Sequence, residues 1–99
     1  SLGWAYYRLG RYQDALIPME QASLRMAVDA TVTDHLGDVY WAVGRKREAE
    51  YQWHRALSYG PDDKLAARLR LKLAKGLDAV LSDEGAAPLK PVEAATATP

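Results

Sequence analysis

A repeat of 34 residues is the feature that most constrains how this chain of 99 residues can fold. Shifting the sequence against itself by that distance places Leu2 on Leu36 and Gly3 on Gly37, with no gap. The same shift superimposes Tyr6 on Tyr40, Gly10 on Gly44, Arg11 on Arg45, Ala15 on Ala49, and Ala22 on Ala56. A fixed period of this length is typical of stacked repeats, in which each unit buries its apolar face only against its neighbours.

The apolar spacing inside each unit is helical. Positions i, i+3, i+4 and i+7 are apolar at Leu2, Ala5, Tyr6 and Leu9 in the first unit, and at Leu36, Val39, Tyr40 and Val43 in the second. Gly10 and Gly44 follow and can close these helices, because glycine adopts the left-handed conformation found at helix ends. A second helix is predicted after each glycine, and Trp53 on its apolar stripe is predicted to be buried between its own unit and the final helix.

The last third of the chain predicts a terminal helix and a tail. Pro61 ends the second unit, and leucines at every fourth position after it predict a single amphipathic capping helix. Alanine, proline and threonine dominate from residue 83, where only Leu89 and two prolines offer contacts, so this tail is predicted to be disordered. The predicted divisions are a first repeat at 1–29 that lacks its N-terminal part, a second repeat at 30–63, the capping helix at 64–82 and the tail at 83–99.

The pattern resembles the tetratricopeptide repeat. In the second unit the resemblance is carried by Leu36-Gly37, Tyr40, Gly44, Ala49, Ala56 and Pro61. It implies an all-α fold, a right-handed helix-turn-helix solenoid of two repeats plus a C-terminal capping helix. The segment also looks like the C-terminal repeats of a bacterial multi-repeat protein. Two departures are Ala27, which stands where the first repeat would close with proline, and Lys46, which replaces an aromatic residue.

The resemblance implies that the first helices hold a partner's peptide on their inner, concave face. The candidate peptide-binding residues are Trp4, Tyr7, Arg11, Asp34, Asp38, Trp41, Arg45, Arg68 and Lys72, with Lys75 beside them. Aromatic and arginine side chains that face solvent favour binding, because these residue types dominate interface hot spots. Asp34 and Asp38 stand where the family's clamp for a C-terminal carboxylate has Lys and Asn, so a ligand of basic or mixed charge is expected. The alternative is that the two carboxylates pair with Arg68 or Lys72 on the neighbouring helix.

Metal binding, nucleic-acid binding and catalysis have weaker support in the sequence. Asp34, His35 and Asp38 are acceptable metal ligands, but a helical wheel turns His35 to another side, so no metal is predicted. The basic run at 45–47 and the basic side of the last helix raise the possibility of nucleic-acid binding, which the formal net charge of zero disfavours. Nucleophilic triads and glycine-rich phosphate loops are missing, so neither enzymatic activity nor a cofactor is expected.

The functional prediction is therefore a scaffold that binds a protein or peptide partner. The alternative is an assembly segment that associates through the apolar edge of its first helix, either with further repeats or with another copy. Nucleic acid is not an expected partner. Membrane insertion is not expected either, because no apolar run is long enough, and a soluble protein of the cytoplasm or periplasm is predicted.

Overall fold

The computed structural model describes residues 1–91 and folds them into six α-helices. These are α1 (Leu2–Arg8), α2 (Tyr12–Arg25), α3 (Ala30–Ala42), α4 (Lys46–Ser58), α5 (Asp63–Lys75) and α6 (Leu77–Asp83). Helices α1 and α2 pack as one hairpin, α3 and α4 as a second, and the hairpins join where α2 packs on α3. Helix α5 then packs on α4 and α6 on α5. The predicted all-α helical-repeat fold is confirmed.

The turns inside the two hairpins repeat the same contacts. In the first turn, Gly10 has a φ of 80°, a conformation that favours glycine, and the backbone N–H of Arg11 donates to the carbonyl oxygen of Tyr6. The Arg11 guanidinium also lies 4.8 Å from the centroid of the Tyr6 ring. The second turn has the same three features at Gly44, Arg45 and Tyr40. The two turns that the sequence repeat relates therefore share the same individual contacts.

Trp53 is fully buried, as predicted, and lies at the centre of the core. Its indole packs so closely on α3 that a Cβ atom at Gly37 would lie 2.5 Å from the Trp53 Nε1 atom. Glycine at this position lets the two helices of the second hairpin approach each other. The buried cluster around Trp53 also contains Met19, Leu36, Val39, Leu69 and Leu77.

The sequence predicts one capping helix, but the structure has two, α5 and α6, which Gly76 separates. Gly76 has a φ of 88° and a ψ of 157°, and it lies against the ring of Trp41, where a Cβ atom would be 2.9 Å from the indole carbons. The chain changes direction there and buries Leu77 completely, with Val80 only 2% exposed. The leucine periodicity continues across Gly76, which is why the sequence pattern alone predicts one helix.

Residues 84–91 follow α6 without helix or strand, and they reach the first hairpin at Lys90. Leu89 is half-buried and packs against the core, while Lys90 forms hydrogen bonds to the α1–α2 turn. This part of the predicted tail thus has defined contacts. The rest of the tail, residues 92–99, lies outside the described residues.

The outer edge of α1 exposes apolar side chains that the second repeat buries. Leu2 is 62% exposed, whereas its repeat equivalent Leu36 is 3% exposed because α2 packs on α3. Leu9, which caps the C-terminal end of the same helix, is 63% exposed. The exposed edge of α1 is thus the counterpart of the α3 surface that α2 covers. Among residues 1–91, no helix combines the length and apolar character that crossing a membrane requires.

Candidate protein-interaction face

Helices α1, α3 and α5 present one shared surface, here called the inner face, and its aromatic part joins α1 to α3. The Trp4 ring stacks on His35 with the ring centroids 3.7 Å apart, and on Tyr7 with the centroids 4.4 Å apart. All three side chains are half-buried. Burial lowers the pKa of His35 and raises the pKa of the Tyr7 hydroxyl, so both groups are neutral near pH 7. This end of the inner face is an uncharged aromatic surface.

The centre of the inner face holds a buried ionic cluster that joins α3 to α5. Lys72 Nζ lies 2.7 Å from Asp34 Oδ1, and it lies 2.8 Å and 3.1 Å from the two carboxylate oxygens of Asp38. Trp53 completes the cluster by donating its indole N–H to Asp38 over 3.2 Å. Burial raises the pKa of Asp38 to about 7, while Lys72 acts in the opposite direction. No buried side-chain nitrogen or oxygen of the described residues lacks a hydrogen-bond partner.

This cluster corrects the expected position of Asp34, Asp38 and Lys72. They were predicted to face a ligand, but their exposures are 2%, 3% and 1%. The pairing with Lys72 that the sequence left open is the one that occurs, in the interior instead of in solvent. Carboxylates that are already bound by an internal ammonium are not free to select the charge of a ligand.

Trp41 marks the other accessible part of the inner face. Its indole N–H donates to the Asp78 carboxylate over 2.9 Å, and the Lys46 ammonium lies 4.7 Å from the ring centroid. These three residues line an open cleft of about 290 Å³, which Leu89 and Lys90 border from the other side. The cleft therefore combines an aromatic wall with one acidic and one basic side chain.

The predicted arginines do not line the cleft, and each pairs with an acidic side chain. Arg11 and Arg45 are exposed at the hairpin turns, where each binds an acidic residue three positions later, Asp14 and Glu48. Arg68 on α5 forms two hydrogen bonds to the Glu84 carboxylate, at 2.6 Å and 2.9 Å.

Three of the five basic side chains of α5 pair with acidic side chains. Arg68 pairs with Glu84, Lys72 with the two buried aspartates, and Lys75 with Asp83. Lys64 and Arg70 are exposed on the same helix. The pairing reduces the positive charge that α5 offers to a polyanion without removing it.

Sequence reasoning missed the role of Tyr12 and of the segment at 86–91. The Tyr12 hydroxyl accepts a hydrogen bond from the backbone N–H of Lys90 over 3.0 Å, and the Lys90 ammonium donates to the carbonyl oxygen of Leu9 over 3.3 Å. The one available signal was Leu89, an apolar residue in an otherwise small and polar tail. Helical periodicity cannot show where such a residue packs.

The potential metal ligands are engaged elsewhere. Lys72 binds Asp34 and Asp38, and His35 stacks on Trp4. Across residues 1–91 there is no cluster of three or more acidic or histidine side chains arranged to hold a metal ion.

The architecture and the inner face define a helical-repeat protein built from helix-turn-helix hairpins. Residues 1–25, which span the first hairpin, match the family model of the tetratricopeptide repeat. The first hairpin is therefore similar to a tetratricopeptide repeat, and the 34-residue offset relates the second hairpin to it. Repeats of this family generally mediate protein–protein interaction and act as non-enzymatic scaffolds. No curated protein and no solved structure matches the chain.

Proposed function

We propose that this chain binds a protein partner by seating a peptide or helix on its inner face, between the aromatic stack at Trp4 and the cleft at Trp41. The observation that supports this proposal most directly is the cleft, where a half-buried indole stands beside an acidic and a basic side chain. Aromatic anchors surrounded by polar groups are the usual composition of an interaction hot spot.

The charges of the cleft indicate the chemistry of the partner. Lys46 and Asp78 are both exposed, whereas the aspartates at the centre of the inner face are bound to Lys72. A partner with an apolar anchor beside basic or mixed charge is complementary to this arrangement. Apolar burial on Trp41 would supply affinity, while the charged pair would set orientation more than strength.

A peptide array probed with three variants tests the proposal. Trp41→Ala removes the anchor surface and should weaken every bound peptide by about tenfold or more, the effect of losing a hot-spot aromatic. Lys46→Glu reverses one charge of the cleft and should change which peptides are bound. Lys64→Glu makes the same change at an exposed position of α5 and serves as the matched control. Identical binding profiles for all three variants and the wild type would remove the inner face as the binding surface.

A second candidate function, assembly, is supported by the outer edge of α1. Leu2 and Leu9 are exposed there, while Leu36, the repeat equivalent of Leu2, is buried where α2 packs on α3. A further helical hairpin, from another repeat or from a second copy, would cover the edge in the same way. The test is the dependence of molecular mass on concentration.

A further inference from the structure

After α6 the chain reverses and crosses to the first hairpin past the C-terminal end of α3. Gly85, with a φ of 72°, makes the reversal, and the backbone N–H of Ala86 donates to the carbonyl oxygen of Leu81. Four residues later Lys90 reaches the α1–α2 turn, where it bonds to Tyr12 and Leu9. The segment at 86–91 thus runs from α6 to α1 along one border of the Trp41 cleft.

This segment makes the contacts that a bound peptide would make. It has one apolar anchor, Leu89, and its backbone bond to Tyr12 does not depend on the identity of the side chain. The aliphatic part of Lys90 lies over Gly10, where a Cβ atom would be 2.5 Å from Lys90 Cδ. Pro88 and Pro91 restrict the backbone on either side and favour an extended path.

The segment is held much less firmly than the helix before it. In α6, Leu77 is completely buried and Val80 nearly so, which makes that helix part of the core. In the segment, Leu89 is only half-buried, and Ala87 and Pro88 are exposed. Departure of the segment would therefore uncover much less of the core than departure of α6.

We infer that residues 86–91 are an internal ligand of the inner face, and that the partner is an extended peptide of the same chemistry, a leucine followed by a basic residue with proline beside them. This inference rests on the proposed function and specifies its partner. Such a peptide competes with the segment for Tyr12 and the border of the Trp41 cleft. Only molecules in which the segment is undocked can bind the added peptide, so the apparent affinity of the peptide falls in proportion to the undocked fraction.

The test adds a labelled peptide with the sequence of residues 86–91 to the full chain and measures binding by fluorescence anisotropy. Leu89→Ser removes the internal anchor and should increase the affinity for the added peptide by about tenfold over wild type, because self-competition is relieved. Ala87→Ser changes an exposed residue of the same segment and should behave as wild type does. Hydrogen exchange of the Lys90 amide should also accelerate in Leu89→Ser and stay unchanged in Ala87→Ser.

Three results overturn the inference. Equal affinity of wild type and Leu89→Ser shows that the segment does not compete, and no binding by either at millimolar peptide shows that it is not a ligand. Loss of helical circular dichroism in Leu89→Ser shows that the segment belongs to the core. None of these results alters the array experiment with Lys46→Glu and Trp41→Ala, so failure of the internal ligand is distinguishable from failure of the proposed function.

Discussion

Lys72 on α5 binds Asp34 on α3 through an ion pair of 2.7 Å in which both side chains are buried. The same ammonium also binds Asp38, so a single positive charge serves two carboxylates. Removing charges from water is costly, and a buried pair is tolerated only when its hydrogen bonds are complete. The cluster therefore fixes how α5 packs against α3. Its stability depends strongly on each of the three charged side chains.

Replacing Lys72 should destabilise the fold severely. Lys72→Met keeps the aliphatic volume but leaves two buried carboxylates without a counter-charge, and losing one partner of a buried ion pair costs about 3–5 kcal/mol. Lys75→Met is the control, because that lysine pairs with Asp83 at the surface, where ion pairs contribute about 0–1 kcal/mol. Urea denaturation followed by circular dichroism gives both free energies of unfolding. Equal losses in the two variants would contradict the structural role of the cluster.

The cluster should also impose a pH dependence on stability. Burial raises the pKa of Asp38 to about 7, so the folded chain holds this proton more tightly than the unfolded chain does. The free energy of unfolding of wild type, measured relative to Asp38→Asn, should therefore fall as the pH rises from about 4 to about 7 and level off above that range. Asparagine retains the oxygen that accepts from Lys72 and Trp53, which isolates the charge. A difference that stays flat, or that rises with pH, would show that Asp38 is ionised throughout.

The fold could largely be predicted from the sequence because residues 34 positions apart occupy equivalent places in the two hairpins and meet the same packing requirements. Leu36, Gly37 and Trp53 lie where the period and the helical spacing place them, since each must fill space left by the neighbouring helix. The break between α5 and α6 at Gly76 is not visible in the sequence pattern. A glycine inside a regular leucine pattern is compatible with a continuous helix, and only its contact with Trp41 shows why the chain turns there.

The candidate site was less accessible to sequence reasoning. A helical wheel places Asp34 and Asp38 on the side of α3 that faces α5, but it contains no information about what covers that side. Their burial depends on α5, which brings Lys72 to them. The docking of Leu89 and Lys90 is a contact between residues far apart in the chain, and no local period encodes such a contact.

Trp53 should be the most sensitive core position. Its side chain is completely buried, so Trp53→Ala should lower the free energy of unfolding by about 3–5 kcal/mol through lost packing and the cavity left behind. Tyr51→Ala on the same helix removes an aromatic ring that is 63% exposed, and it should cost less than about 1 kcal/mol. Thermal melting followed at 222 nm compares the two variants with wild type. A shift of only a degree or two for Trp53→Ala would be incompatible with this packing.

The exposed edge of α1 should make the chain associate with itself at high concentration. Leu2 and Leu9 expose more than half of their surface there, and covering them in a second molecule removes that apolar area from water. Sedimentation velocity should show a mass that increases with concentration for wild type and stays monomeric for Leu2→Glu combined with Leu9→Glu. Leu71→Glu is the matched control, because Leu71 is also exposed, at 47%, but lies on α5. If wild type is monomeric throughout the range, the assembly function is excluded; if Leu71→Glu alone abolishes association, the contact lies on α5 and α1 is not its edge.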